Sequence, residues 1–95
     1  MTIAENIAQV ALEVGAIQIN TRDPFTWASG YKMPVYNDNR LLLGNAKHRS
    51  LIAKGFKDLL KKYAVEVEII AGTATAGIPH ATSLADLLQV PLIYV

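Results

Sequence analysis

An α/β fold, with parallel strands joined by a crossover helix, is predicted by three observations in the second half of this 95-residue chain. First, charge is uneven: residues 1–68 hold all nine Lys and Arg and seven of the eight acids, whereas residues 69–95 hold only Asp86. A stretch so poor in charge expects burial on more than one face, as parallel strands and their helices do. Second, Val65, Val67 and Ile69 alternate with Glu66 and Glu68 before the sequence turns wholly apolar, the pattern of a strand entering a core. Third, the small-residue loop Gly72–Gly77 leads to Pro79, Leu84, Leu87 and Leu88 at helical spacing, then to an apolar strand over residues 91–95. Strand, loop, helix and strand in that order make a βαβ unit.

The first half reads as a helix followed by irregular chain. Thr2 and Glu5 form a capping box, Ile3, Ile7, Val10, Ala11 and Val14 share one helical face, and Gly15 offers a stop, predicting a helix over residues 2–14. Ala16 to Ile19 suits a short strand. Asp23-Pro24, Ser29-Gly30 and Pro34 mark residues 20–34 as irregular. Val35-Tyr36 and Leu41–Leu43 are read as short strand pieces. Asn45 caps a second helix to Lys62, whose apolar face carries Leu51, Ile52, Phe56, Leu59, Leu60 and Tyr63. The organisation is one domain over 1–95: residues 1–45 are helix plus irregular segment, and 46–95 open an α/β core.

Composition excludes several classes. With 52% hydrophobic and 18% charged residues the chain is globular in type rather than disordered. A net charge of +1 argues against nucleic acid or an acidic membrane as partner. With no cysteine there is no disulfide, thiolate metal site or Cys nucleophile. The longest uncharged run, Ile69 to Ala85, is broken by two glycines and a proline and is too short for a bilayer span, so the chain reads as soluble. The sequence stops at Pro91-Leu92-Ile93-Tyr94-Val95, in mid-strand. The expectation is an N-terminal piece of a longer protein, or a chain that buries its end in a partner.

Two segments offer chemistry. Gly72-Thr73-Ala74-Thr75-Ala76-Gly77 contains nothing larger than threonine, so its amides can approach a phosphate ahead of a helix N-terminus. Ile78-Pro79 stands where a Walker A loop needs Lys-Ser/Thr, and Gly-x-Gly-x-x-Gly is absent, so neither nucleotide motif applies. The alternative is a tight turn whose small residues permit packing. The second segment, Pro24 to Arg40, mixes Phe25, Trp27, Tyr31 and Tyr36 with amides and two cations. It suits either a pocket for a flat polar ring or a capping loop with Asp38 and Arg40 as a surface pair. His48, on the wet face of the second helix, and His80, in the first turn of the third, have no companions at metal-ligand spacing. Ser29, Ser50 and Ser83 stand in no nucleophile elbow.

Together the two segments resemble orotate phosphoribosyltransferases. Pro24-Phe25-Thr26-Trp27-Ala28-Ser29-Gly30-Tyr31-Lys32, continuing through Pro34 and Tyr36 to Asp38-Asn39-Arg40, is similar to the N-terminal signature of that family. Ile70 to Ala81 looks like its pyrophosphate loop. The resemblance spans the whole chain and the first half of such an enzyme. It implies a phosphoribosyltransferase-like parallel sheet with flanking helices and an N-terminal hood, present here in part. The implied reaction converts orotate and phosphoribosyl pyrophosphate (PRPP) to orotidine 5′-monophosphate and pyrophosphate with Mg²⁺, in a cytoplasmic homodimer of the pyrimidine pathway. By the same likeness Tyr36 and Asn37 contact orotate, and Lys32 and Arg40 belong to the hood in support or ligand contact. Thr73, Ala74, Thr75, Ala76 and Gly77 hold pyrophosphate, with a cis peptide near Ala74-Thr75.

The sequence also departs from the pattern. Alanine replaces lysines that some members carry at positions 28 and 76, and Met33 replaces a serine. No catalytic residue and no metal ligand is expected within the chain. Residues 69–95 bring no Lys or Arg to an anion, so the chain alone is expected to be inactive. A non-catalytic module, or a phosphoribosyltransferase for another base, are the alternative readings.

Overall fold

The computed structural model describes residues 1–95. Helix α1 (Ile3–Glu13) starts at Thr2, whose Oγ1 accepts the Glu5 N–H at 3.1 Å and donates to the Glu5 carboxylate at 3.0 Å. Strand β1 (Ile17–Ile19) pairs antiparallel with β4 (Val35–Asn37), Gln18 facing Tyr36. Between them β2 (Phe25–Thr26) and β3 (Lys32–Met33) form a hairpin. Helix α2 (Ala46–Lys62) begins at Asn45, whose Oδ1 accepts the Lys47 N–H at 2.8 Å. Strand β5 (Ile70–Gly72), helix α3 (Ile78–Leu88) and strand β6 (Leu92–Tyr94) complete the chain.

The βαβ expectation holds. Strands β5 and β6 are parallel, Ile70 opposite Leu92 and Gly72 opposite Tyr94, with α3 as the crossover. Helix α3 packs on β5 and against α2, and α2 in turn packs on α1. The sheet is parallel and flanked by helices.

Four local readings are corrected. Leu41–Leu43 are not strand but lie in a 3-10 helix, Asn39–Gly44. Asp38 starts it: its side chain accepts the Arg40 N–H and its carbonyl the Leu41 N–H, closing turns that outcompete an extended backbone. That coil buries Leu42 against Ala11 and Ala16. Residues 65–69 are not yet strand, because β5 becomes a ladder only where the Ile70 N–H reaches the Pro91 carbonyl at 2.9 Å. The segment 20–34 is not wholly irregular, since it holds the β2–β3 hairpin. His48 does not lie on the wet face of α2: it is half-buried, and its Nδ1 is enclosed without a hydrogen-bond partner.

Burial is sparse. Eight residues are buried, none of them charged or polar in side chain, and the main cluster is Ala11, Ala16 and Leu42 with Val10, Val14, Ile17 and Ile52 around it. The radius of gyration is 15.1 Å, against about 13 Å for a closed domain of this size. Large apolar side chains stay open on α2 (Phe56, Leu59), and Ile93 and Tyr94 do so on β6.

Candidate functional site

The loop after β5 is built around close backbone approach. A Cβ added at Gly72 would stand 2.9 Å from the Ala81 Cβ, and one at Gly77 would stand 2.9 Å from the Thr73 carbonyl oxygen and 3.0 Å from the Thr73 nitrogen. Gly77 has an ordinary φ of −81°, so space rather than conformational freedom requires glycine there. The Gly77 N–H donates to Thr73 O at 2.8 Å, the Ile78 N–H to Thr75 O, and the Ala74 N–H to Val95 O at 2.7 Å. The Ala74–Thr75 peptide is cis, where a cis bond was expected.

These bonds leave a specific remainder. The N–H groups of Thr73, Thr75 and Ala76 have no hydrogen-bond acceptor within the chain, and neither has that of His80 in the first turn of α3. Residues 73–76 are exposed. No side chain caps α3, and Pro79 removes one of its amides. The positive end of an 11-residue helix therefore stands beside unpaired amides on an exposed bend, a setting that favours an anion. No lysine or arginine reaches this bend from its own segment, and no three His, Cys, Asp or Glu gather anywhere in the chain.

The N-terminal segment is held by its aromatic residues. Trp27 Nε1 donates to the Val35 carbonyl at 2.8 Å, tying the hairpin to β4, and the Phe25 and Tyr36 rings lie 5.7 Å apart. Gly30, at φ +89°, turns the hairpin, with the Trp27 N–H on Tyr31 O at 2.9 Å. Arg40 grips Asp38 through two bonds, Nε to Oδ1 at 2.8 Å and a terminal nitrogen to Oδ2 at 2.9 Å. That hydrogen bond holds the Asp38 carboxyl below the usual carboxylate range and raises Arg40.

The residues singled out in the sequence divide into two groups. Of the bend residues, Thr73, Ala76 and Gly77 line one groove of about 900 Å³, into which the structure also brings Asn39 and His80, while Ala74 and Thr75 are exposed and do not line it. Tyr36, Asn37, Lys32 and Arg40 lie outside that groove, exposed on β3, β4 and the 3-10 helix. Sequence reasoning passed over His80 as a site residue, yet its Nδ1 is enclosed without a partner. The one signal was its position, three residues beyond Gly77 in the first helical turn.

No family model matches the chain. Curated relatives do. Orotate phosphoribosyltransferases of Streptococcus pyogenes and Listeria monocytogenes are each 50% identical to it over 95 residues, all of this chain and 46% of each relative. Over their whole length these 95 residues are similar to orotate phosphoribosyltransferases. The chain spans about half the length of the curated relatives it matches. Among solved structures, the orotate phosphoribosyltransferase from Aeropyrum pernix superposes with a TM-score of 0.78 at 32% identity, covering 94% of this chain and 49% of that one. UMP synthase from Leishmania donovani superposes at 0.77 and 28% identity, over 94% of this chain and 19% of that one. The orotate phosphoribosyltransferase likeness thus extends over nearly the whole chain in both sequence and backbone, with the partial parallel sheet and flanking helices of the phosphoribosyltransferase fold.

Proposed function

We propose that this chain supplies the orotate-facing hood and the pyrophosphate-binding loop of an orotate phosphoribosyltransferase, which joins orotate to PRPP and releases pyrophosphate. The observation that supports this most directly is the set of unpaired amides at Thr73, Thr75 and Ala76, between two glycines that no other residue can replace without displacing backbone. Amides fixed before the reaction stabilise charge that grows on a departing pyrophosphate without reorganising. Tyr36 and Asn37, on β4, take the orotate ring in this reading, and Lys32 belongs to the hood in support or ligand contact. Arg40, held by Asp38, shapes the hood.

Mg²⁺ enters as part of the diphosphate substrate. The bend offers threonine hydroxyls and carbonyls but no carboxylate, so the ion is held by phosphate oxygens and water, as magnesium commonly is at such sites. The remaining cations come from outside residues 69–95, from a second subunit of a cytoplasmic homodimer. The 95-residue chain alone is accordingly expected to show no orotate-dependent pyrophosphate release above background.

Calorimetric titration of magnesium pyrophosphate and of orotate into the chain tests the reading. Pyrophosphate is expected to bind the wild type and to weaken at least about tenfold in G77A, whereas Y36A weakens orotate and spares pyrophosphate. Pyrophosphate binding unaffected by G77A would sink the proposal.

A further inference from the structure

Resting on the pyrophosphate reading above, we infer that His80 is a further substrate-binding residue, its imidazole Nε2–H donating a hydrogen bond to the diphosphate at the bend. The ring is divided between two environments. Its Nδ1 is enclosed and has no hydrogen-bond partner. Its Nε2 is not enclosed, and it makes no bond within the chain: the side-chain hydrogen bonds of α3 are those of Thr82, Ser83 and Gln89. A neutral imidazole carries one ring proton. On Nδ1 that proton would make a buried N–H without an acceptor, a rarer defect than an unused acceptor. On Nε2 it meets open space. The donor therefore faces out.

Position directs it at the bend. His80 stands three residues beyond Gly77, in the first turn of α3, and the Cα–Cβ bonds of a helix tilt toward its N-terminus. It lines the same groove as Thr73, Ala76 and Gly77. Its backbone N–H also lacks an acceptor in the chain. One residue thus offers a main-chain and a side-chain donor beside the free amides of Thr73, Thr75 and Ala76.

The rest of the groove leaves this part to His80. Its charged side chains are Asp58 and Lys62, both of α2. Asp58 repels an anion. Lys62 Nζ lies over the Tyr63 ring, 5.5 Å from its centroid, and Tyr63 is outside the groove. Neither β5 nor the bend carries a charge. A neutral N–H bonded to an ionised phosphate oxygen is a charge-assisted bond, stronger than one between neutral groups. The imidazole can supply it where no cation stands.

Two variants and one spectrum test this. H80Q keeps a side-chain N–H donor near the place of Nε2, whereas H80L removes both nitrogens and leaves an apolar side chain in the enclosure. In calorimetric titration of magnesium pyrophosphate into the 95-residue chain, H80L is expected to weaken binding at least about tenfold, and H80Q to stay within about threefold of wild type. Orotate affinity should be equal in all three. Long-range ¹H–¹⁵N spectra of the wild-type imidazole give a readout that needs no variant to fold. They should show His80 with its proton on Nε2 in the free chain, and the Nε2 resonance should move when magnesium pyrophosphate is added. A proton on Nδ1, an Nε2 resonance that pyrophosphate leaves in place, H80L binding like wild type, or H80Q as weak as H80L each overturns the assignment. Pyrophosphate binding that falls in G77A and holds in H80L removes His80 from the site and leaves the proposed function standing. A wild-type chain that binds no pyrophosphate defeats both.

Discussion

Gly77 and Thr73 close the bend after β5 on each other: the Gly77 N–H donates to Thr73 O at 2.8 Å, and a Cβ at position 77 would come to 2.9 Å from that same oxygen. The obstructing atoms are backbone, so they cannot swing aside as a side-chain tip can. G77A is expected to displace residues 73–76 and cost about 1–3 kcal/mol of stability. Thermal unfolding followed by circular dichroism measures the cost, and backbone chemical shifts of Thr73 to Ala76 report the displacement. Unchanged shifts in G77A would mean that the bend tolerates a methyl group.

Gly55 makes the opposite case. It sits in α2 facing α1, and an added Cβ would stand 2.9 Å from Ile7 Cδ1 and 3.8 Å from Ile3 Cγ2. Here the obstacle is the end of a flexible side chain. G55A should be close to neutral, because removing a mid-helix glycine gains about 0.5–1 kcal/mol while Ile7 shifts its rotamer. G55L has no such escape and is expected to lose more than about 2 kcal/mol by prying α1 from α2. Chemical denaturation midpoints of the two variants separate these outcomes.

Trp27 is the only tryptophan, and its indole N–H ties the hairpin to β4 by a hydrogen bond to Val35 O. W27F keeps an aromatic ring, though a smaller one, and removes the donor, and the lost hydrogen bond costs about 0.5–1.5 kcal/mol. Faster amide exchange at Trp27 and Gly30 by about two- to tenfold is the expected result. The exchange of α2 amides, which have no part in that link, should be unchanged.

Apart from the βαβ order of β5, α3 and β6, what could be read from residues alone was local. The caps at Thr2 and Asn45 were legible because a side-chain oxygen and a nearby amide decide them within three residues. The bend at 72–77 was legible because small residues advertise close approach. The β2–β3 hairpin was not, since its two-residue strands exist only through the register of Phe25 opposite Met33. Nor was the start of β5, which Pro91 sets from 21 positions further along. His48 was misplaced for a related reason. Helical periodicity gives the face, but the approach of α1 to α2 determines which edge of that face is enclosed. The Asn39–Gly44 coil escaped notice because three consecutive leucines look extended until Asp38 is seen capping them.

Asp38 and Arg40 give a prediction in pH. The bond from Arg40 is the largest influence on the Asp38 carboxyl and lowers its pKa, so the folded value lies below the unfolded value of about 3.9. A carboxyl whose pKa is depressed by folding contributes stability that is fully present above the unfolded value and is lost as pH falls through the folded one. The pair is therefore intact at neutral pH and releases only in acid, below about pH 3.9. Arg40 is 71% exposed in its side chain, so solvent and salt screen the attraction and its effect on global stability is small. The carboxyl ¹³C titration of Asp38 is the sensitive measurement. Its midpoint should lie below that of an unpaired aspartate and move back up in R40Q. Because Asp38 also starts the 3-10 helix that buries Leu42, D38A should lose more than R40Q does at pH 7. Equal losses in the two variants would mean that the ion pair, and not the cap, is what Asp38 contributes.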